Sequence, residues 1–209
     1  MCGRGDVDYS EKKIREAFAD LGELDVHFDL SSPRHNVSPT DPVPVVHCED
    51  GHLRLDGMVW GTRDERAASK RPILLVRAET VARGSLASRT RGLVMFTKFY
   101  EWQGEKGTKR KPYAVRPKDG RILALAALCK RTVTSDGEVR ESCTIVTQPA
   151  AGPLVEIHDR MPVLVTAPHL ATWLDPSTKT DAALQLVQTA QPADSLEPYP
   201  EDPLKVVQG

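Results

Sequence analysis

The sequence predicts an α+β fold, a single domain with a β-rich, barrel-like core of mostly antiparallel strands and flanking helices. Short apolar runs separated by Asp-Gly pairs fill the middle of the chain, a pattern typical of hairpins. Helical periodicity is confined to segments near the ends and to one short stretch between strands. With 209 residues, 40% of them hydrophobic, the chain can build one sizeable core. No linker or repeat is found, so the domain is expected to span 1–209.

The first predicted element is a helix over 10–21. It places three apolar side chains at helical spacing after Ser10, which suits an N-cap, and Gly22 ends it. Further helices are predicted over 80–88, from Thr166 through Trp173, and over 180–187. Residues 188–209 are expected to form an extended tail.

Strands are predicted on both sides of the turn at Asp50-Gly51, within 43–60. Others are predicted over 73–77, 92–101, 112–117, 121–129 and 141–147. Turns at Asp119-Gly120 and Asp136-Gly137 connect the later strands, so most pairings should be antiparallel.

Composition excludes several classes of protein. The net charge of −1 gives no overall cationic field, so an anionic partner would need a local basic patch. Four scattered cysteines without a Cys-x-x-Cys pair argue against a zinc site or a disulfide framework, and no cofactor or metal is expected. No apolar run is long enough for a membrane span, and no secretion signal is found. We therefore expect a soluble cytoplasmic or nuclear protein.

The N-terminus carries the first candidate for chemistry. Once Met1 is removed, Cys2 presents an amine and a thiol on adjacent carbons, and both groups titrate near neutral pH. Such a pair captures an aldehyde, first as an imine and then as a five-membered thiazolidine ring. Taken alone, Cys2 is better explained as an ordinary second residue.

Two further residues are candidates for proton transfer. Glu101 ends an apolar run beside three aromatic rings, a setting that favours a raised pKa, although a surface carboxylate at a strand end explains it equally well. His158 lies in His158-Asp159-Arg160, where Asp159 or Arg160 could orient the imidazole.

Arginine and asparagine side chains have both structural and functional interpretations. Arg77 precedes Ala78-Glu79-Thr80, where a structural Arg–Glu pair is the default and a phosphate contact is the alternative. Thr80 is expected to cap the helix that follows. Asn36 is either a turn-fixing amide or a group that holds backbone near a site.

Seven motifs occur in order along the chain: Met1-Cys2-Gly3-Arg4, Asn36-Val37-Ser38-Pro39, Trp60-Gly61, Arg77-Ala78-Glu79-Thr80, Phe99-Tyr100-Glu101-Trp102, Cys143-Thr144-Ile145-Val146-Thr147 and His158-Asp159-Arg160-Met161-Pro162. Together they resemble the SOS-response-associated peptidase (SRAP) family, over residues 2 to about 174.

The resemblance implies an abasic-site processing protein, a DNA-damage and DNA-repair function. Cys2 would form a thiazolidine DNA–protein crosslink with the abasic aldehyde in single-stranded DNA, Glu101 would assist imine formation and reversal, and His158 would help open the sugar ring. It also implies self-removal of Met1 and lyase-type β-elimination. The protein would act as a monomer, in the nucleoid if bacterial.

The resemblance also assigns residues to DNA binding. Arg4 and Arg77 would grip phosphates, Trp102 and Trp60 would pack around the lesion, and Asn36 would hold backbone near the site.

Three departures from the family pattern affect the site. Leu75 stands where the family carries an asparagine that helps hold the N-terminal cysteine, Thr97-Lys98 replaces a small turn, and 62–66 replaces a proline- and tryptophan-bearing loop. Two alternatives stay open. One is an N-terminal-cysteine glutamine amidotransferase-like amidohydrolase, because Met-Cys-Gly also begins that class. The other is a DNA-binding module that has lost crosslinking.

Overall fold

A computed structural model describes residues 3–63, 71–83, 89–105, 107–133, 136–189 and 193–206 of the chain. The strands are β1 (Gly5–Val7), β2 (Leu24–Val26), β3 (Arg34–Val37), β4 (Pro42–Glu49), β5 (His52–Trp60), β6 (Leu75–Arg77), β7 (Thr90–Phe96), β8 (Lys98–Gln103), β9 (Lys111–Pro117), β10 (Leu123–Val133), β11 (Val139–Pro149), β12 (Arg160–Pro162) and β13 (Leu196–Pro200). The α-helices are α1 (Glu11–Ala17), α2 (Ala78–Val81), α3 (Leu170–Leu174), α4 (Thr180–Thr189) and α5 (Pro203–Val206).

Five strands form a closed barrel. β11 pairs with β10, β10 with β7, β7 with β4 and β4 with β5, all antiparallel. A short parallel pairing between β5 and β11 closes the cycle, with Val59 opposite Ser142 and Trp60 opposite Cys143. The predicted barrel-like core of mostly antiparallel strands is therefore confirmed.

The C-terminal half of β11 organises two candidate site segments. β6 pairs with it in parallel, which places Arg77 opposite Thr147, and β12 pairs with it antiparallel, which places Arg160 opposite Pro149. The Arg77 and His158 segments, far apart in sequence, therefore meet beside the same strand.

A second sheet has the strand order β13-β9-β8-β1-β3. The apolar run predicted as one strand over 92–101 supplies both sheets, because the chain leaves the barrel after β7 and enters the second sheet as β8, with Thr97 between them. Gly5 allows β1 to lie against the barrel, since a Cβ at this position would come within 2.5 Å of the Phe96 ring. The N-terminal strand is thus tied to the core at its first residue.

The local signals for helices and turns hold in the structure. Ser10 caps α1 by accepting a hydrogen bond from the Lys13 amide at 3.3 Å. Asp50 and Gly51 have φ values of 50° and 82°, as a two-residue hairpin turn of mirror-image type requires. α3 and α4 lie where they were predicted.

Two predictions need correction, one for a helix and one for the C-terminal tail. The helix predicted over 80–88 starts earlier, as α2 at Ala78, and 84–88 lie outside the described residues. The tail is not simply extended, because β13 pairs with β9 from Leu196 opposite Pro117 to Pro200 opposite Tyr113, and α5 follows. In the part of the chain that the structure describes, no helix is long and apolar enough to cross a membrane.

Candidate active site

Glu101 lies in the middle of β8 and is 1% exposed. β9 flanks it on one side, with Tyr113 opposite, and on the other side the Tyr100 amide donates to the Arg4 carbonyl at 3.0 Å. Burial raises the pKa of the Glu101 carboxyl, while the charge of His158 and the Trp102 backbone amide act in the opposite direction. Burial dominates, so the carboxyl holds its proton at a higher pH than an exposed glutamate.

His158 lies close enough to Glu101 for its charge to act on the Glu101 carboxyl. It follows a 3₁₀ turn over Gly152–Glu156 and precedes β12, and the Gln103 side-chain amide, at the end of β8, donates to the Glu156 carbonyl at 2.7 Å. The electrostatic effect of His158 on Glu101 is consistent with this junction. The structure therefore brings the two predicted proton-transfer residues together.

The His158 ring has two partners that compete for one nitrogen. The Arg160 amide donates to Nδ1 at 3.0 Å, and Asp159 Oδ1 lies 2.7 Å from the same atom. The first contact requires an unprotonated Nδ1, which places the proton of the neutral ring on Nε2, whereas the second requires a proton on Nδ1. A neutral ring with its proton on Nε2 therefore accepts from the Arg160 amide, and a ring that carries a proton on Nδ1 donates to Asp159.

Glu79 pairs with Arg160 and not with the neighbouring Arg77. The contacts are bidentate, Nη1 to Oε1 at 2.7 Å and Nη2 to Oε2 at 3.0 Å, and Arg160 Nη2 also donates to the Thr147 carbonyl at 2.7 Å. Hydrogen bonding to Arg160 lowers the pKa of Glu79 to about 2. The expected Arg–Glu pair thus exists, but it joins two motifs that are 81 residues apart in sequence.

Arg77 is exposed at the end of β6 and serves as the N-cap residue of α2. Its guanidinium makes no hydrogen bond to any of the described residues. Thr80 was predicted to cap this helix, but α2 begins at Ala78, so Thr80 lies inside it. Arg77 is left with its donors available to a ligand.

Arg4 and Asn36 contact each other directly. Arg4 Nη1 donates to Asn36 Oδ1 at 3.1 Å and lies 3.5 Å from the Asn36 carbonyl oxygen. Asn36 has φ 54°, in the left-handed region that asparagine tolerates better than most residues. Asn36 therefore adopts an irregular backbone conformation and also bonds to the Arg4 side chain, while its role in DNA binding stays a prediction.

The two tryptophans differ in accessibility. Trp60 is 0% exposed, packs on Phe96 at 5.8 Å between ring centroids, and donates its indole N–H to the Leu74 carbonyl. The prediction that Trp60 packs around a lesion is therefore wrong, because a ring without exposed surface cannot stack on a base. Trp102 is only partly buried, at the end of β8.

Cys2, the predicted nucleophile, lies outside the described residues. Leu75, at the family's asparagine position, is a partly buried residue that packs on the hydrophobic core. The other cysteines are free thiols, with Cys48 partly buried and Cys129 and Cys143 buried. Within the described ranges, no group of three or more His, Cys, Asp or Glu side chains could hold a metal ion.

A buried polar cluster was missed in the sequence. Asp6 is 0% exposed and contacts His35, Lys98 and Tyr100, and Lys98 and Tyr100 also bond to Glu201 from the C-terminal segment. Its members are far apart in the chain, and none stands in a distinctive motif except Tyr100, so only the pairing of β8, β1 and β3 reveals it. Lys98, noted as a departure from the family pattern, thus has defined partners.

A family model described as SOS response associated peptidase (SRAP) matches residues 1–203. The chain belongs to the SRAP family. The match extends beyond the predicted limit of about 174, because β13 is part of the fold. Membership of this family argues against the amidotransferase alternative.

Relatives and solved structures agree with this membership. The chain is 30% identical to the abasic site processing protein YedK of Escherichia coli, over 83% of this chain and 79% of that protein. It is 28% identical to the abasic site processing protein YoaM of Bacillus subtilis, over 95% and 90%. The crystal structure of a phage-related protein of Bordetella bronchiseptica matches with a TM-score of 0.79 at 23% identity, over 96% and 94%, and so supports the fold.

Proposed function

We propose that this SRAP protein captures abasic sites in single-stranded DNA through a covalent crosslink to Cys2. The observation that carries the proposal is the setting of Glu101, a buried carboxyl with a raised pKa beside His158, on the strand that pairs with the N-terminal segment. The curated relatives are named for abasic site processing. The Arg4 carbonyl is bonded to β8, and Cys2 stands two positions before Arg4 in the sequence.

The crosslink forms in two steps. The Cys2 amine adds to the aldehyde of the ring-opened sugar and loses one water molecule to give an imine. The thiol sulfur then adds to the imine carbon, and its proton passes to the nitrogen, which closes the thiazolidine. The product has the mass of protein plus DNA minus one water.

Glu101 and His158 supply the proton transfers. A carboxyl that keeps its proton near neutral pH can protonate the departing hydroxyl during imine formation and take the proton back on reversal. Neutral His158 carries its proton on Nε2 while the Arg160 amide occupies Nδ1, so Nε2 can donate to the sugar ring oxygen as the ring opens. Abstraction of a C2′ proton from the imine, with cleavage of the C3′–O bond and release of the 3′ phosphate, would give the proposed lyase-type β-elimination.

DNA binding is assigned to Arg4, Arg77 and Trp102. Arg77 is exposed, and Arg4 uses only Nη1 in its contact with Asn36, so both keep donors for phosphate oxygens. Trp102 lies two residues along β8 from Tyr100, which is bonded to Arg4, so Trp102 and Arg4 share one face of the sheet. An aromatic ring beside a cation suits an unstacked base next to its phosphate.

Met1 must be absent for this chemistry, because an acylated nitrogen cannot form the imine. Removal by the protein itself would use the same groups. The Cys2 thiol would attack the Met1 carbonyl carbon, and hydrolysis of the resulting thioester would release methionine and the free amine.

Intact mass spectrometry after mixing with an abasic single-stranded oligonucleotide tests the function. The wild type should lack Met1 and gain the mass of the oligonucleotide minus one water, and Cys2→Ala should give no stable adduct. Once Met1 is removed, both Cys2→Ala and Cys2→Ser keep the amine, so each should yield an adduct only after borohydride reduction of the imine. Cys48→Ala, which alters another free thiol, is the control and should crosslink normally. A stable adduct on Cys2→Ala would exclude the thiazolidine.

A further inference from the structure

We infer that Asp6 is a positioning residue that aims Arg4 at the DNA backbone by fixing a β-bulge at His35–Asn36, an inference that rests on the proposed function. β1 and β3 pair with Gly5 opposite Val37 and Val7 opposite Arg34, and their register shifts between these two pairs. Two residues of β3, His35 and Asn36, therefore stand opposite the single residue Asp6. Bulges of this kind redirect side chains and are frequent beside active sites.

The Asp6 carboxylate bonds to both residues of the bulge. Oδ1 accepts from the Asn36 amide at 2.9 Å, and Oδ2 lies 2.9 Å from His35 Nδ1. A carboxylate can only accept, so His35 Nδ1 carries the proton in this contact. The contacts hold Asn36 in its left-handed conformation, φ 54°, where its side-chain oxygen meets the Arg4 guanidinium.

The same carboxylate is anchored from the opposite side. The Tyr100 hydroxyl shares its one proton between Asp6 Oδ2 at 3.1 Å and Glu201 Oε2 at 2.9 Å, and Lys98 Nζ lies 3.5 Å from Asp6 Oδ2. An asparagine at this position has the same shape but cannot accept hydrogen bonds at both ends of its side chain. Asp6→Asn therefore turns an N–H donor either towards the Asn36 amide or towards the Lys98 ammonium, and neither of these groups can accept it.

Arg4 lies just before β1, two residues from Asp6, and both side chains bond to Asn36. Asp6 touches no DNA in this arrangement, because it is fully buried. In this inference, its effect on binding passes through Asn36 to Arg4. Without a fixed Asn36, Arg4 keeps its charge but has to be ordered when DNA binds, at an entropic cost that corresponds to about 2- to 10-fold weaker binding.

A double-mutant cycle on binding tests the inference. The probe is single-stranded DNA with a tetrahydrofuran abasic analogue, which has no aldehyde, and the dissociation constant is measured by fluorescence anisotropy at several salt concentrations. Arg4→Ala should lower the slope of log affinity against log salt by about 0.7, the value for one phosphate contact on a single strand. Asp6→Asn should weaken binding about 2- to 10-fold in the wild type and not at all in Arg4→Ala.

The control is Asp8→Asn, which removes an equal charge from an exposed residue two positions along the chain and should not weaken binding. If Asp6→Asn fails to fold, Tyr100→Phe removes one donor to Asp6 and should give a smaller effect in the same direction. An equal loss of affinity in both Arg4 backgrounds, or no loss in either, would overturn the inference. The adduct assay on the same wild-type preparation tests the proposed function separately, because binding of the analogue does not depend on crosslinking.

Discussion

Removal of the Glu79–Arg160 ion pair by Glu79→Gln should destabilise the protein in a pH-dependent way. The pKa of Glu79 is about 2, against 4.5 for an unperturbed side chain, and this difference corresponds in full to about 3.4 kcal/mol. The Glu79 side chain is 47% exposed, so solvent screening reduces the value, and we expect a loss of about 1.5 kcal/mol in the free energy of unfolding at pH 7.

The sign of the pH dependence follows from the lowered pKa. The folded protein holds Glu79 ionised more strongly than the unfolded chain does, so the stabilisation is present above pH 4.5 and is lost as the pH falls towards 2. Urea denaturation of wild type and variant from pH 7 to pH 3.5 should show a gap in unfolding free energy that narrows on acidification. A gap below about 0.5 kcal/mol at pH 7, or one that does not narrow, would refute the reasoning.

Glu16→Gln is a matched control for this experiment. Glu16 pairs with Lys12 at 3.8 Å on the exposed side of α1, a surface pair worth at most about 0.5 kcal/mol. Its removal should leave stability nearly unchanged. Because the Arg160 amide bonds to His158 Nδ1, Glu79→Gln should also slow adduct formation, while Glu16→Gln should not.

Three further predictions concern the candidate site. Glu101→Gln should slow adduct formation. It should also raise the free energy of unfolding at pH 7 to 8, because burial raises the Glu101 pKa and disfavours its ionised form. Urea denaturation should show this gain in unfolding free energy shrinking as the pH falls towards 4.5, and a gain that stays constant would contradict the prediction. Asn36→Gly should keep or improve stability in thermal unfolding, since glycine adopts φ 54° without strain. It should weaken salt-dependent DNA binding, because the Arg4 side chain loses its hydrogen bond to Asn36. Unchanged binding would show that Asn36 does not contribute to DNA binding by Arg4. Leu75→Asn should lower the unfolding free energy by about 1 kcal/mol, since it removes partly buried apolar surface. It should also speed crosslinking if the asparagine found at this position in the family holds Cys2. An unchanged crosslinking rate, measured by mass spectrometry, would show that this chain holds its cysteine differently.

Local features of the fold could be predicted from the sequence because their causes are local. A cap at Ser10, a turn at Asp50-Gly51 and the alternation of β-branched residues each act within a few positions. The end of β7 and the start of β8 on either side of Thr97 could not be predicted, since the run of apolar residues continues through this position. The hydroxyl of Thr97 accepts from the Asp8 amide at 2.8 Å, a contact across 89 residues that depends on which strands pair.

Candidate site residues with distinctive local settings could be found in the same way, while their partners could not. Glu101 and His158 stand out in their motifs, and the structure places them together. The partner of Glu79 is Arg160 because β6 and β12 both pair with β11, which no spacing in the sequence indicates. Trp60 misled the prediction because an aromatic residue beside a glycine has the same local pattern in a core as at a surface.

The pairing of β1 with β8 constrains how a substrate can lie. Arg4 is bonded to Tyr100 through the backbone, and side chains alternate along β8, so Glu101 faces the side opposite to that of Tyr100 and Arg4. In the proposed function, a DNA strand held by Arg4 can present a sugar to Glu101 only at the end of β1, because β1 and β8 lie inside the five-stranded sheet. Gly3 continues the chain from that end towards Cys2. In the proposed function, a nucleophile attached there can reach both faces of the sheet, whereas one placed within β1 would reach only one, and this is a physical reason to place the reactive group before β1.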